Sequence, residues 1–308
     1  MAIDTGALAT ITATTEPEAQ PGRRRRNRRG RWPFGRLATL ALVWLGLLTF
    51  CTVFASWLPF VKSYSEGSVL DSEIGPGSAH WLGTDSNGRD VFSRAIYGAR
   101  LSLAVAGASL VIGLTIGGAL GLVAGYYRRR LDGLLSSVFD IMLAFPPLLL
   151  VVAIVTFAGQ STSLVRESAI IVAALATVSI APLARLVRAN TLLFSQREFV
   201  IAAKGLGASN RRILFRDVLP NVVPPVMSFA LTVLAILVVA EAGLAFVGLS
   251  VGLKFPTWGF MINEGRSFLD DQWWISLGPA LFLFLTVYSL NILGDALTAR
   301  FSIRETIS

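Results

Sequence analysis

LSLAVAGASLVIGLTIGGALGLVAG, residues 101–125, contains no charged side chain. About 20 helical residues at 1.5 Å each cross roughly 30 Å of hydrocarbon, so this run predicts a membrane-spanning helix. It also carries Ser109, Gly113, Gly117, Gly121 and Gly125 at a spacing of four. That spacing places them in one nearly straight row on a helix. Small residues there let another backbone approach closely, gaining dispersion contacts where no hydrophobic effect separates helix from lipid. The row fits packing inside one subunit and packing against a second membrane subunit equally well.

Working outward, five more segments are long and apolar enough to span: 37–58, 134–158, 168–189, 221–248 and 275–297, with the quoted run extending to 126. The sequence therefore predicts an all-α membrane protein with six transmembrane helices. Composition agrees. The 308 residues are 54% hydrophobic and 15% charged, against about 25% charged in soluble domains. Mean hydropathy is +0.64. The first apolar run, about 21 residues, exceeds the roughly 7–15 of a signal-peptide core. Phe50, before Cys51, is too bulky for a lipoprotein cleavage site, so the first span is expected to be kept.

Lysine and arginine set the expected orientation. With the N-terminus in the cytoplasm, 20 of the 27 basic residues fall on the inner side and 7 on the outer. Both termini are thus expected inside. Residues 1–36 read as a basic disordered cytoplasmic tail, 37–58 as the first transmembrane helix and 59–100 as an extracytoplasmic loop. Residues 101–297 form a five-helix core containing a long inner loop, 190–220, and 298–308 a cytoplasmic C-terminus. In the outer loop, Glu66, Asp71, Glu73, Asp85 and Asp90 outweigh Lys62, Arg89, Arg94 and Arg100. RRRRNRRGR at 23–31 has the composition of a nucleic-acid arm, but beside a span it favours orientation and anionic lipid. No nucleic-acid partner is expected.

Several function classes fall away. Cys51 is the single cysteine and His80 the single histidine, which excludes an internal disulfide framework and argues against His-based zinc or triad chemistry. His80 reads as a loop residue beside Trp81. No G-x-x-x-x-G-K-[ST] phosphate loop occurs; Lys204-Gly205 is a fragment with the order reversed. No catalytic or metal residue is assigned. A stand-alone channel or secondary carrier is the alternative of a different class, but the spans hold few charges to form an ion path.

Prolines mark the spans at Pro146–Pro147, Pro182, Pro224–Pro225 and Pro279. Each removes a backbone donor, giving either a static kink or a break of the kind that transporters place beside a cavity. Pro146, Pro147, Pro225 and Glu241 are the candidate pathway or gate residues. Asp140 and Asp295 lie near inner span ends and Glu241 near an outer end, where each is expected to reach an interface. In the outer segment 249–274, Trp258, Trp273, Trp274, Phe255, Phe260 and Phe268 have the composition of an interfacial anchor, Trp273 and Trp274 above all.

The inner loop is the most informative segment. From Ala184 to Asn221 it reads ARLVRANTLLFSQREFVIAAKGLGASNRRILFRDVLPN. Phe199, Ala202, Ala203 and Leu206 fall on one side of a helix. Gly205 and Gly207 interrupt it, Ser209 is an N-cap, and a second short helix is expected from Arg211 to Leu219, ending at Pro220. A helix, a glycine corner and a helix make a knob that fits a groove on a partner.

IAAKGLG…VLPN within this loop resembles the coupling motif of ABC-importer permeases, Glu-Ala-Ala, three residues, Gly, then nine residues to Ile-x-Leu-Pro. Ala202, Ala203, Gly207, Leu219 and Pro220 match by position, with Gly205 and Ala208 beside them. Ile201 stands where the family has Glu, and Asp217 where it often has Ile. Glu198, one turn earlier, is placed to replace the missing acid in part. HWLGTDSNGRDVFSRAIYGAR (80–100), GLAFVGLSVGLKFPTWGFMINEGRSFLDDQWW (243–274) and SLNILGDALTAR (289–300) resemble the dipeptide, oligopeptide and nickel importer group, C-type subunit. The resemblance implies a type I importer permease with cytoplasmic coupling helices, forming half of the pathway for di- or oligopeptides, with nickel or another small solute as the alternative. It implies as partners a second homologous permease, two ATPase subunits carrying ATP and Mg, and an extracytoplasmic solute-binding protein. The chain itself would hold no cofactor.

Overall fold

The computed structural model describes residues 35–159, 163–249 and 255–305. The basic tail expected at 1–36 falls almost wholly outside them. Every regular element among the described residues is helical: α1 Arg36–Val53, α2 Val91–Tyr127, α3 Arg129–Ala144, α4 Pro147–Ala158, α5 Leu164–Phe194, α6 Glu198–Gly205, α7 Asn210–Phe246, α8 Trp258–Gly265 and α9 Trp274–Glu305, with short 3₁₀ turns at Val69–Asp71 and Arg266–Phe268. Five of these, α1, α2, α5, α7 and α9, are each long and apolar enough to span a bilayer.

The pairing of α2 with α5 is the most extensive in the molecule. Gly113, Gly117, Gly121 and Gly125 all face α5 at backbone range. A methyl on Gly117 would lie 2.5 Å from the Ile180 carbonyl oxygen, and one on Gly125 2.7 Å from that of Arg188. Ser109 continues the row, donating to the Val172 carbonyl at 3.3 Å. The glycine row therefore meets a helix of the same chain. α7 and α9 pack on this pair. α1 lies against α9, where Trp44 Nε1 donates to Thr286 Oγ1 at 3.2 Å.

Three expectations are corrected. The third span is two helices, α3 and α4, meeting at 84°. Phe145 and Pro146 each precede a proline, which pushes both into extended backbone (ψ 134° and 122°) and ends α3. Pro182 and Pro279 lie inside continuous helices. Pro224–Pro225 also leaves α7 unbroken: buried Val222 and Val226 anchor both sides of it, whereas Phe145, Leu148 and Leu149 beside the broken pair are exposed. Finally, α2 begins ten residues before the apolar run. Asp90 caps it, accepting from Ser93 N at 2.7 Å, so the last ten residues of the predicted outer loop are helix.

Candidate functional site

The loop expected on the inner side folds as a knob. α5 ends at Phe194, and α6 follows within four residues. Val200 of α6 is fully buried against Phe194, Ile213, Leu214 and Val218, which fixes α6 to the start of α7. Ser209 caps α7 by accepting from Arg212 N at 3.4 Å, the role its sequence position indicated. Gly207 sits at φ +80° in the turn between the two helices, a conformation that glycine adopts without a Cβ penalty. The Tyr126 hydroxyl at the C-terminal end of α2 donates to Asn210 Oδ1 at 3.0 Å, and Lys204 Nζ lies 5.7 Å above its ring.

The second helix does not end at Pro220. It continues as one helix from Asn210 to Phe246. The passage is a π-helical turn over Ile213–Val218, where Leu219 N donates five residues back to Leu214 O. A wide turn of this kind inserts a residue and re-routes hydrogen bonds around the donor that proline lacks. Asn221 Nδ2 adds a bond to Asp217 O at 2.7 Å. Sequence reading missed the continuity because a Leu-Pro pair after a short helix ordinarily marks a stop.

The knob's outer surface is apolar and open. Phe199 is 43% exposed, Ile201 62% and Leu206 89%. Glu198, Ala202, Gly205 and Gly207 are exposed, and no atom of another element lies near the Cβ positions of the two glycines. Ala203, Ala208 and Leu219 are half-buried and touch the internal cluster, so they face inward as much as out. Pro220 is exposed. Glu198 and Ile201 are three apart on α6 and neighbours on its surface.

The candidate pathway residues do not gather in one place. Pro146 and Pro147 form the α3–α4 bend, and Pro225 is half-buried within α7. Glu241 is 1% exposed. Its position in sequence suggested that it reaches an interface, and it does not: packing of α7 against α2 and the approach to α8 seals it inside. Its carboxyl faces the hydroxyls of Ser102 on α2 and Thr257 before α8. Asp140 and Asp295 are exposed, and Asp140 pairs with Arg185 of α5. Asp132 takes Arg188 in a two-point bond, which ties α3 to α5 a second time.

The loop before α2 and the end of α8 hold an ion network that net charge alone did not reveal. Arg94, 3% exposed, bonds Asp85 and reaches Glu264 at 2.7 Å; Arg89 bonds Asp85 at 2.8 Å and Glu264 at 3.3 Å. The loop before α2 is thereby fastened to the end of α8. The i,i+4 pair Asp85–Arg89 and the Asp90 cap were the readable signals. His80 Nδ1 meets Asp90 at 2.9 Å. The anchor reading of the tryptophans also needs correction. Trp258 is fully buried, donating to Ala95 O at 2.9 Å, and Trp274 is half-buried, donating to Thr84 O at 3.2 Å. Only Trp273, 51% exposed, is free to sit at an interface. The other two indoles satisfy their N–H inside the protein.

Comparisons place this architecture among known proteins. The family model described as binding-protein-dependent transport system inner membrane component matches residues 117–305. A dipeptide transport system permease protein of Alkalihalophilus pseudofirmus is 39% identical over 260 residues, 84% of each chain. A glutathione transport system permease protein of Pectobacterium atrosepticum is 39% identical over 246 residues, 79% of this chain and 80% of its own. Among solved structures, an inward-facing form of the MetNI methionine ABC transporter aligns with TM-score 0.56 at 22% identity, covering 68% of this chain and 96% of that one. The last likeness establishes the fold of an ABC importer permease.

Proposed function

Because the chain belongs to the family of binding-protein-dependent transport system inner membrane components, we propose that it forms half of the translocation pathway of an ATP-driven peptide importer. The chain is a multi-pass membrane permease subunit of an ABC importer. Peptides are the proposed solute class, in keeping with the dipeptide and glutathione permeases it resembles. A second, homologous permease would supply the other half, and a solute-binding protein would deliver the peptide. ATP and Mg would bind two separate ATPase subunits on the side of the knob, with both termini on that cytoplasmic side.

The observation that carries the coupling role is the exposed apolar knob on a rigid mount. Covering one leucine-sized side chain yields about 1.5–3 kcal/mol, so Phe199, Ile201 and Leu206 offer substantial docking energy once an ATPase groove encloses them. The internal cluster of Val200, Ile213 and Val218 makes α6 move with α7. α7 is 37 residues long, about 55 Å of continuous helix. Closure of the ATPase pair would displace the knob, and α7 would carry that displacement across the membrane. ATP thus biases a two-state element whose states differ in which side the cavity faces.

The test is co-purification in mild detergent. Leu206→Arg places charge on the most exposed knob position while leaving the fold untouched. Gly207→Arg adds bulk at the turn, and Ala203→Glu adds charge but also disturbs the internal cluster. Wild type is expected to bring down an ATPase and a second permease, and Leu206→Arg to lose the ATPase alone. A folded wild-type chain that purifies without any ATPase would overturn the reading in favour of a stand-alone carrier.

A further inference from the structure

The first turns of α7, which form the second helix of the knob, carry a basic concavity. Arg211, Arg212 and Arg216 line it with Ser209, Phe215 and Pro220 around about 660 Å³ of space. Arg211 and Arg212 in the first turn of α7 and Arg216 within the π-helical turn share one wall. All three arginines are exposed. Among the described residues, none of them pairs with a carboxylate. Adjacent unpaired guanidinium groups repel one another, and an anion with several oxygens relieves that repulsion while accepting from more than one fork.

A second cavity begins where the first ends, and Phe215 lines both. It is a groove of about 360 Å³ between α2 and α7, walled by Leu122, Val123, Leu219, Val223 and Met227, with no charged side chain. It follows α7 from Leu219 to Met227, about 12 Å along the helix axis. A free phosphate would satisfy the first cavity and leave the second empty. An apolar helix would fill the second and leave three guanidinium groups unmet. An anionic amphiphile satisfies both, and the site stands where a span enters the bilayer.

We propose that this chain carries a site for one anionic phospholipid, its headgroup phosphate held by Arg211, Arg212 and Arg216 and an acyl chain lying in the α2–α7 groove. The site lies on the second helix of the knob, and Phe199, Ile201 and Leu206, the exposed apolar residues proposed to dock, line neither cavity, so lipid binding and ATPase capture can be read separately. It would brace the wide turn at the base of α7 and make the stability of that turn depend on leaflet composition.

The test is native mass spectrometry of the full chain, with whatever subunits stay bound, in a zwitterionic detergent with phosphatidylglycerol added. Wild type is expected to retain one phosphatidylglycerol in preference to phosphatidylcholine of the same chain length. The triple variant Arg211→Gln/Arg212→Gln/Arg216→Gln is expected to bind it about a hundredfold more weakly, from roughly fivefold per arginine. The arginine-rich segment 23–31 is the same in both, so the difference belongs to the pocket. Val223→Trp fills the groove without touching the guanidinium groups and is expected to weaken long-chain lipid more than short-chain lipid. Displacement by millimolar inorganic phosphate would overturn the proposal in favour of a free-anion site. Retention unaffected by Val223→Trp would overturn the acyl-chain half. Loss of the lipid whenever a second permease is bound would show the groove to be a subunit interface instead.

Discussion

Glycine serves opposite purposes at the α2–α5 seam and in the knob. Along the seam, Gly113, Gly117, Gly121 and Gly125 are buried and meet the carbonyls and side chains of α5, with no room for a methyl group. In the knob, Gly205 and Gly207 are exposed and nothing lies near them. The seam uses the absent side chain to bring two backbones together inside the chain. The knob uses it to make a turn and to leave a surface bare. The same residue type thus marks a finished interface in one region and an unfinished one in the other. The difference is visible only as what occupies the space beside each Cβ.

Substitutions along the two sets sharpen this contrast. Gly121→Leu forces a branched side chain into the Ala184 and Val187 backbone and side chains, and is expected to cost more than about 3 kcal/mol. The readout is loss of the monodisperse peak in detergent size exclusion. Gly117→Ala adds a single methyl against the Ile180 carbonyl and should cost about 1–3 kcal/mol, read as a lower thermal midpoint in the same detergent. Gly207→Ala meets no neighbour but places a Cβ at φ +80°, for about 1–2 kcal/mol of local strain. Its thermal midpoint should fall less than that of Gly117→Ala. Gly205→Ala, at the last turn of α6 in open space, should raise stability by about 0.5 kcal/mol through helix propensity. If ATPase capture nevertheless falls for Gly205→Ala, the bare surface is a docking face. A seam variant that is as stable as wild type would break the contrast altogether.

Much of the architecture was legible because hydrocarbon is an undemanding reader of sequence. A run such as 101–125 has few alternatives to spanning, and the spacing of its small residues names a helix face. The knob was legible for a different reason: Ser209 as cap and Gly207 as turn are local backbone requirements, satisfied within four residues. The course of α7 through Pro220 was not legible, since a proline's local effect is to stop a helix. Only the π-helical turn, held by the burial of Ile213, Leu214 and Val218, carries the chain past it. The candidate pathway was read least well. Glu241, expected near an interface, is sealed between α2 and the approach to α8, which no periodicity within α7 could indicate.

The sequence by itself determined the apolar spans, the bias of basic charge toward one side, the cap at Ser209 and the glycine turn of the knob. Each of these is decided by solvent or by neighbours in the chain. Tertiary structure alone decided that the glycine row meets α5, that Pro146–Pro147 breaks a span while Pro224–Pro225 does not, and that Arg94, Asp85 and Glu264 form one network. Those outcomes depend on which residues distant in the chain arrive at the same place. Close packing and buried charge pairing act over a few ångströms, and the order of residues along a chain does not specify distances of that kind.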